Sequence, residues 1–166
     1  MKQIFILIAA FVTFNSYGQA DQRKSPHDTV SSDLASVTYG RPYKKGRDIF
    51  GSLEKYDKVW RVGADEATTI TFTKDVKFGD KEVKAGTYTL FAIPKEKEWT
   101  IILNSERKQW GAYGYEKIKA KDVAHVNAKV NSLDAVVEQL TLRFDKKNTL
   151  VIEWDKTQVV VPIKAK

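Results

Sequence analysis

No cysteine occurs anywhere in the 166 residues. That excludes disulfides, thiol nucleophiles, thiolate metal sites and any lipid joined through a cysteine. Stability must come from a buried core. Histidine is almost as scarce, with only His27 and His125. Two scattered imidazoles predict no zinc site, and nothing else in the sequence implies a metal or cofactor. The glycines never fall as Gly-x-Gly-x-x-Gly or before Lys-Ser/Thr, so there is no phosphate loop. No Gly-x-Ser-x-Gly elbow is present to present a serine nucleophile.

Long apolar runs are also missing, with one exception at the N-terminus. Met1-Lys2-Gln3 is followed by an apolar stretch from Ile4 to Phe14 and then by Asn15-Ser16-Tyr17-Gly18-Gln19-Ala20. A positive start, a short apolar run and small residues read as a secretory signal. The run falls short of the ~20 apolar residues that a membrane helix needs. The expected organisation is a signal peptide over 1–18, cleaved near Gly18-Gln19, a flexible leader over 19–33 and a single β domain over 34–166. The expected address is periplasmic or secreted, with no transmembrane segment in the mature chain.

Charge of one sign is not concentrated. The formal net charge is +7, yet lysines alternate with acids in Lys81-Glu82, Lys95-Glu96-Lys97-Glu98 and Glu116-Lys117. This reads as a solvated, mixed surface, and no nucleic acid partner is expected.

What the sequence does hold is period-two alternation. Ala35, Val37 and Tyr39 share one face, as do Ile70 and Phe72. Val76–Phe78 and Lys81–Val83 flank Gly79-Asp80 as a tight hairpin. Thr87–Ile93 stops at Pro94, and Glu98–Leu103 ends at Asn104. Ala124–Val130, Leu140–Phe144, Leu150–Trp154 and Val159–Ile163 alternate again, with turns expected at Lys146-Lys147-Asn148 and Asp155-Lys156-Thr157. A short strand is expected near Lys58–Arg61, and short helices near Ser105–Gln109 and Ser132–Val136. About nine short strands with one or two short helices predict an all-β fold, an antiparallel β-sandwich of jelly-roll-like or barrel-like form.

The segment Tyr39–Gly51, continuing to Glu66, is rich in arginine and aromatic residues and punctuated by glycine. Guanidinium groups pair with carboxylate or phosphate and stack on rings. Arg41, Arg47, Trp60, Arg61, Asp65 and Glu66 are therefore the candidate ligand-binding residues. Trp110 and Tyr113, from the Gly-rich aromatic loop Trp110–Tyr115, could add an apolar wall. A small anionic or sugar-like ligand fits such a set. Two alternatives stand beside it: a hydrolase using Asp65 or Glu66 as acid or base, and an envelope scaffold protein in which the arginine loop is purely structural. No catalytic residue is assigned.

Tyr39-x-Arg41-Pro42, Lys45-Gly46-Arg47, Ile49-Phe50-Gly51, Trp60-Arg61-x-Gly63-Ala64-x-Glu66-Ala67-Thr68, Ala85-Gly86-Thr87-Tyr88 and Ile93-Pro94, with Trp99 and Asn104, follow one order and spacing. In these motifs the chain resembles the DUF2911 family, exported proteins of unknown function found in Bacteroidetes-type bacteria. The resemblance runs from about Leu34 to Ile163. It implies a periplasmic address in a Gram-negative cell but no activity. The family pattern commonly has Asn before the glutamate, where this chain has Asp65.

Overall fold

The computed structural model describes residues 23–166; the expected signal peptide and its cleavage point lie outside them. Nine strands form one open antiparallel sheet in the order β1-β2-β3-β6-β7-β8-β9-β4-β5. They are β1 (His27–Ser31), β2 (Ala35–Gly40), β3 (Thr69–Phe72), β4 (Val76–Phe78), β5 (Lys81–Val83), β6 (Gly86–Ile93), β7 (Glu98–Asn104), β8 (Asp122–Phe144) and β9 (Thr149–Ala165). Among the described residues the single α-helix, α1, is Tyr115–Ile118. The all-β, sandwich-like expectation holds.

Alternation explains why one face is dry. Val37, Ile70, Leu90, Ile101, Val126, Ile152 and Val161 belong to one buried cluster, although they come from strands across the width of the sheet. The sheet therefore curls over its own apolar face, and Phe72 of β3 meets Phe78 of β4 with ring centroids 5.8 Å apart. Phe91 and Ile102 point to the opposite face of β6 and β7, where Ala67 and Tyr115 of α1 cover them. Helix α1 is moored by Asp122. Its carboxylate accepts a hydrogen bond from the Tyr115 hydroxyl at 2.6 Å and one from Asn104 Nδ2 at 2.7 Å.

Five local expectations are corrected. The segment read as a flexible leader contains β1, which pairs with β2 from His27↔Gly40 to Ser31↔Ser36. Its polar residues hid a strand that lies at the sheet edge, where side chains are half-wet. Ser132–Val136 is strand, not helix, and Ser105–Gln109 has no helical turn. The Lys58–Arg61 region contributes only an isolated bridge, Trp60↔Ala92. Asp155-Lys156-Thr157 does not turn: β9 runs straight through, with Asp155 at φ 54° and a register shift against β8 between Ser132 and Val137. A bulge absorbs the polar triplet, so two of the nine strands are long, 23 and 17 residues.

Candidate functional site

Three loop segments meet beside the edge formed by β1 and the bent part of β8. The first is Arg41–Glu54. It is stitched to β8, because Lys44 N–H donates to the Glu138 carbonyl at 2.7 Å and Leu140 N–H to the Pro42 carbonyl at 3.0 Å. Lys45 N–H also donates to Glu138 Oε1 at 2.8 Å. Within this loop, Gly51 N–H donates to the Glu54 carbonyl and Glu54 N–H to the Ile49 carbonyl, closing a tight turn that displays the Glu54 side chain.

The second segment is Trp60–Glu66. Trp60 pairs with Ala92 of β6 in both directions, at 2.7 and 2.9 Å. Extended backbone there sends Trp60 inward and Arg61 outward. Beyond it the chain is strained, with Val62 at φ 53° and Asp65 at φ 64°. Such a conformation costs a β-branched residue on the order of 1–3 kcal/mol and persists only where neighbours impose it. Here the imposing contacts are visible. The Thr68 hydroxyl donates to the Val62 carbonyl at 2.8 Å, while Arg61 Nη1 donates to the Asp65 carbonyl at 2.8 Å. Gly40 lets this loop press against the end of β2, since a Cβ at that position would lie 2.3 Å from the Ala64 carbonyl oxygen.

The third segment is Gln109–Gly114, tied down by Gly111 N–H donating to the Asp65 carbonyl and Ala67 N–H to the Gln109 carbonyl. The Tyr113 ring lies 5.8 Å from the Arg61 guanidinium carbon. Gly111, at φ 71°, makes this stack feasible: a Cβ there would come within 2.8 Å of the ring and 3.1 Å of Arg61 Nη1.

Between these segments opens a cleft of about 780 Å³, lined by Tyr43, Lys45, Arg47, Leu53, Glu54, Arg61, Asp65, Trp110 and Tyr113 among others. That volume is typical of small-molecule sites. Arg47, Arg61, Asp65, Trp110 and Tyr113 thus share one cleft. Arg47 spends Nε on the Lys44 carbonyl at 2.9 Å and Nη2 on the Tyr43 carbonyl, leaving Nη1 free of protein partners among the described residues.

Three candidates are not part of it: Arg41, Trp60 and Glu66. Arg41 does not line the cleft, and each of its three side-chain nitrogens has a partner elsewhere. It donates to the Leu140 carbonyl at 3.3 Å, to Asp28 Oδ2 at 3.1 Å and to the Thr141 hydroxyl at 3.3 Å. Trp60 is buried in an aromatic cluster with Phe50, Trp99 and Trp154, and its ring stacks on Trp154 at 6.1 Å. Its indole nitrogen is buried without a partner among the described residues.

The carboxylates expected to act as acid or base are engaged otherwise. Asp65 accepts the backbone N–H groups of Lys24 and Ser25 at 3.1 and 3.2 Å and lies 3.3 Å from His27 Nε2. Glu66 accepts a two-pronged bond from Arg23, Nε at 2.9 Å and Nη2 at 2.7 Å. Burial pushes the Glu66 carboxyl up, but the Arg23 bond and the nearby positive charges outweigh it and hold the group below its usual value. The pair clamps the N-terminal arm onto the molecule. A smaller adjoining cavity of about 340 Å³, lined by Arg23, His27, Glu66, Arg107, Lys108 and Trp110, lies on the other side of the clamp.

The residue that sequence reasoning missed is Glu54. Its carboxylate lines the main cleft and has no hydrogen bond or ion pair among the described residues. Burial pushes its pKa up to about 7, against the opposing pull of Arg61 and Arg47. A lone glutamate in a turn carries no pattern that would have found it. Arg23 was missed because it falls in the presumed leader. Among the described residues no group of three or more His, Cys, Asp or Glu side chains is placed to hold a metal, and no helix is long and apolar enough to cross a membrane.

A family model described as "Protein of unknown function (DUF2911)" matches residues 22–163. No curated protein and no solved structure matches the chain.

Proposed function

The chain belongs to the DUF2911 family, a family of unknown function, and for this member we propose a non-catalytic role: binding a small anionic or sugar-like molecule in the cleft between the three loops. One observation carries the reading. Six large apolar side chains stand exposed among the described residues, and four of them, Tyr43, Leu53, Trp110 and Tyr113, line this one cleft beside Arg47 and Arg61. Exposed apolar surface gathered in a concavity, interleaved with cations, is what a ligand face requires. The loops are pinned to the sheet by backbone hydrogen bonds, so the groups are held in place before any ligand arrives.

The catalytic alternative loses its residues, since Asp65 and Glu66 are occupied by the N-terminal arm. The scaffold alternative fits Arg41 but not Arg47 or Arg61, which keep unspent donors facing the cleft. We place the site outside the cytoplasm, in the periplasm or secreted. The support is the signal-like stretch ending near Gly18.

Thermal unfolding in a panel of organic acids, sugar acids, sugar phosphates and neutral sugars tests the proposal. A ligand at a hundred times its Kd stabilises by about 2.7 kcal/mol, a Tm rise of about 5 °C or more for a domain of this size. The rise should vanish in the Arg47→Ala/Arg61→Ala double variant. A panel that leaves Tm unmoved throughout, or a rise that survives in the double variant, would refute it.

A further inference from the structure

We propose that the ligand of this cleft is an acidic sugar, a ring bearing both hydroxyls and one carboxylate, of the hexuronate class. The inference rests on the reading of the cleft as a binding site and deepens it.

The donors and acceptors in the cleft are unequal in a way that selects among anions. Among the described residues Arg61 uses only Nη1, so Nε and Nη2 remain, and Arg47 retains Nη1. These fixed, planar donors suit a carboxylate. Two carboxylates line the same cleft. Asp65 is taken up by Lys24 N–H, Ser25 N–H and His27. Glu54 is not taken up by any described residue. A half-buried carboxylate without a partner is costly, and the cost is relieved by a ligand that brings O–H donors to it.

Each simpler ligand leaves something unmet. A sulfate offers only acceptors, so it would satisfy the arginines and repel Glu54; a phosphate keeps an O–H or two at neutral pH but has no C–H face to lay on the aromatic wall. A neutral sugar would satisfy Glu54 and leave two guanidinium charges unmatched. An aliphatic dicarboxylate has no ring to lie on Trp110 or on Tyr113, whose ring is 83% exposed. A hexuronate meets all three demands: carboxylate to Arg47 and Arg61, hydroxyls to Glu54, and the C–H face of the ring against the aromatic wall. Because Glu54 carries a proton readily near neutrality, it does not drive off the monoanion as a fixed charge would.

Calorimetric titration of the purified protein at pH 7 with glucuronate and galacturonate, glucose and galactose, and inorganic phosphate tests this. A hexuronate should bind at least tenfold tighter than its neutral parent and than phosphate. Arg61→Gln and, independently, Arg47→Gln should bring the hexuronate down toward the neutral sugar, so loss of either fold alone does not end the test. Glu54→Leu should weaken hexuronate and neutral sugar by the same factor, about five- to tenfold, because it meets the hydroxyls they share. A neutral sugar or phosphate binding as tightly as the hexuronates would overturn the acidic-sugar assignment while leaving the cleft a binding site. Binding of none of the five would overturn the acidic-sugar assignment, and the cleft's role as a binding site would then be decided by the wider thermal-unfolding panel. Hexuronate binding untouched by all three substitutions would overturn the placement.

Discussion

Glu54 is the residue at which this molecule gives up stability. Its carboxyl binds protons more tightly folded than unfolded, with a pKa of about 7 against an ordinary 4.5. Between those values the native state holds the extra proton, so stability falls as pH rises from about 4.5 to about 7 and is flat above. The shift corresponds to about 3 kcal/mol at most. Glu54→Gln should therefore be more stable than wild type at pH 8, by about 2 kcal/mol, and nearly equal at pH 4.5; urea unfolding at the two pH values reads this. A stabilising substitution in a cleft marks a position where function, not folding, holds the side chain. Arg41 is the opposite kind of residue. Its three protein hydrogen bonds predict that Arg41→Ala loses about 1–2 kcal/mol without changing ligand affinity. Nothing in sequence separates Arg41 from Arg61: both sit beside aromatics and glycines in irregular chain. Only the pairing of Trp60 with Ala92 decides that Trp60 turns inward and Arg61 outward.

At the scale of the element, the N-terminal arm and β1 are held by two side chains from one turn. Asp65 and Glu66 receive Arg23, Lys24, Ser25 and His27, and the arm in turn supplies part of the cleft wall. Glu66, held below its usual pKa, contributes stability at neutral pH that is lost as pH falls through its folded value. Glu66→Ala should speed tryptic cleavage after Arg23 and Lys24 several-fold while leaving the rest of the chain resistant, as mass spectrometry of the digest would show. Asp65→Asn should be the milder change. Asn tolerates the left-handed backbone at this position and keeps one acceptor for the arm. The short elements β2 to β5 were legible because each buries one face, so alternation survives in the sequence, while β6 and β7, buried on both faces, were legible as short apolar runs that stop at Pro94 and Asn104. The long ones were not. Around Asn131–Glu138 the side chains of β8 are exposed or half-exposed on both faces, so no period remains to be read. Asp155, at φ 54°, looks like a turn residue and is a bulge.

For the whole molecule, the open sheet curls around an aromatic hub. Phe50, from the cleft loop, packs 4.7 Å from Trp99 and 5.7 Å from Trp60, and Trp154 of β9 completes the group. The hub joins the sheet interior to the loop that carries Arg47 and Glu54, so folding and site formation should be one event. Trp99→Ala should cost about 3–5 kcal/mol and abolish ligand binding together with the folded state in a single denaturation transition. The core was visible in the sequence as alternating apolar residues. The cleft was visible only in part, because its three loops, from Tyr43 to Tyr113, lie far apart in the chain and meet through loop geometry that carries no periodic signal.

Ligand contacts should fall on Arg47, Arg61, Trp110 and Tyr113 and nowhere near Arg41 or Trp60. A nuclear magnetic resonance titration with a hexuronate, following arginine Nε–H and tryptophan indole signals, reads this residue by residue. The Arg47, Arg61 and Trp110 signals should move together and saturably while those of Arg41 and Trp60 stay fixed. Signals that remain still up to tens of millimolar ligand, or that move first at Arg41 or at the opposite face of the sheet, would contradict it.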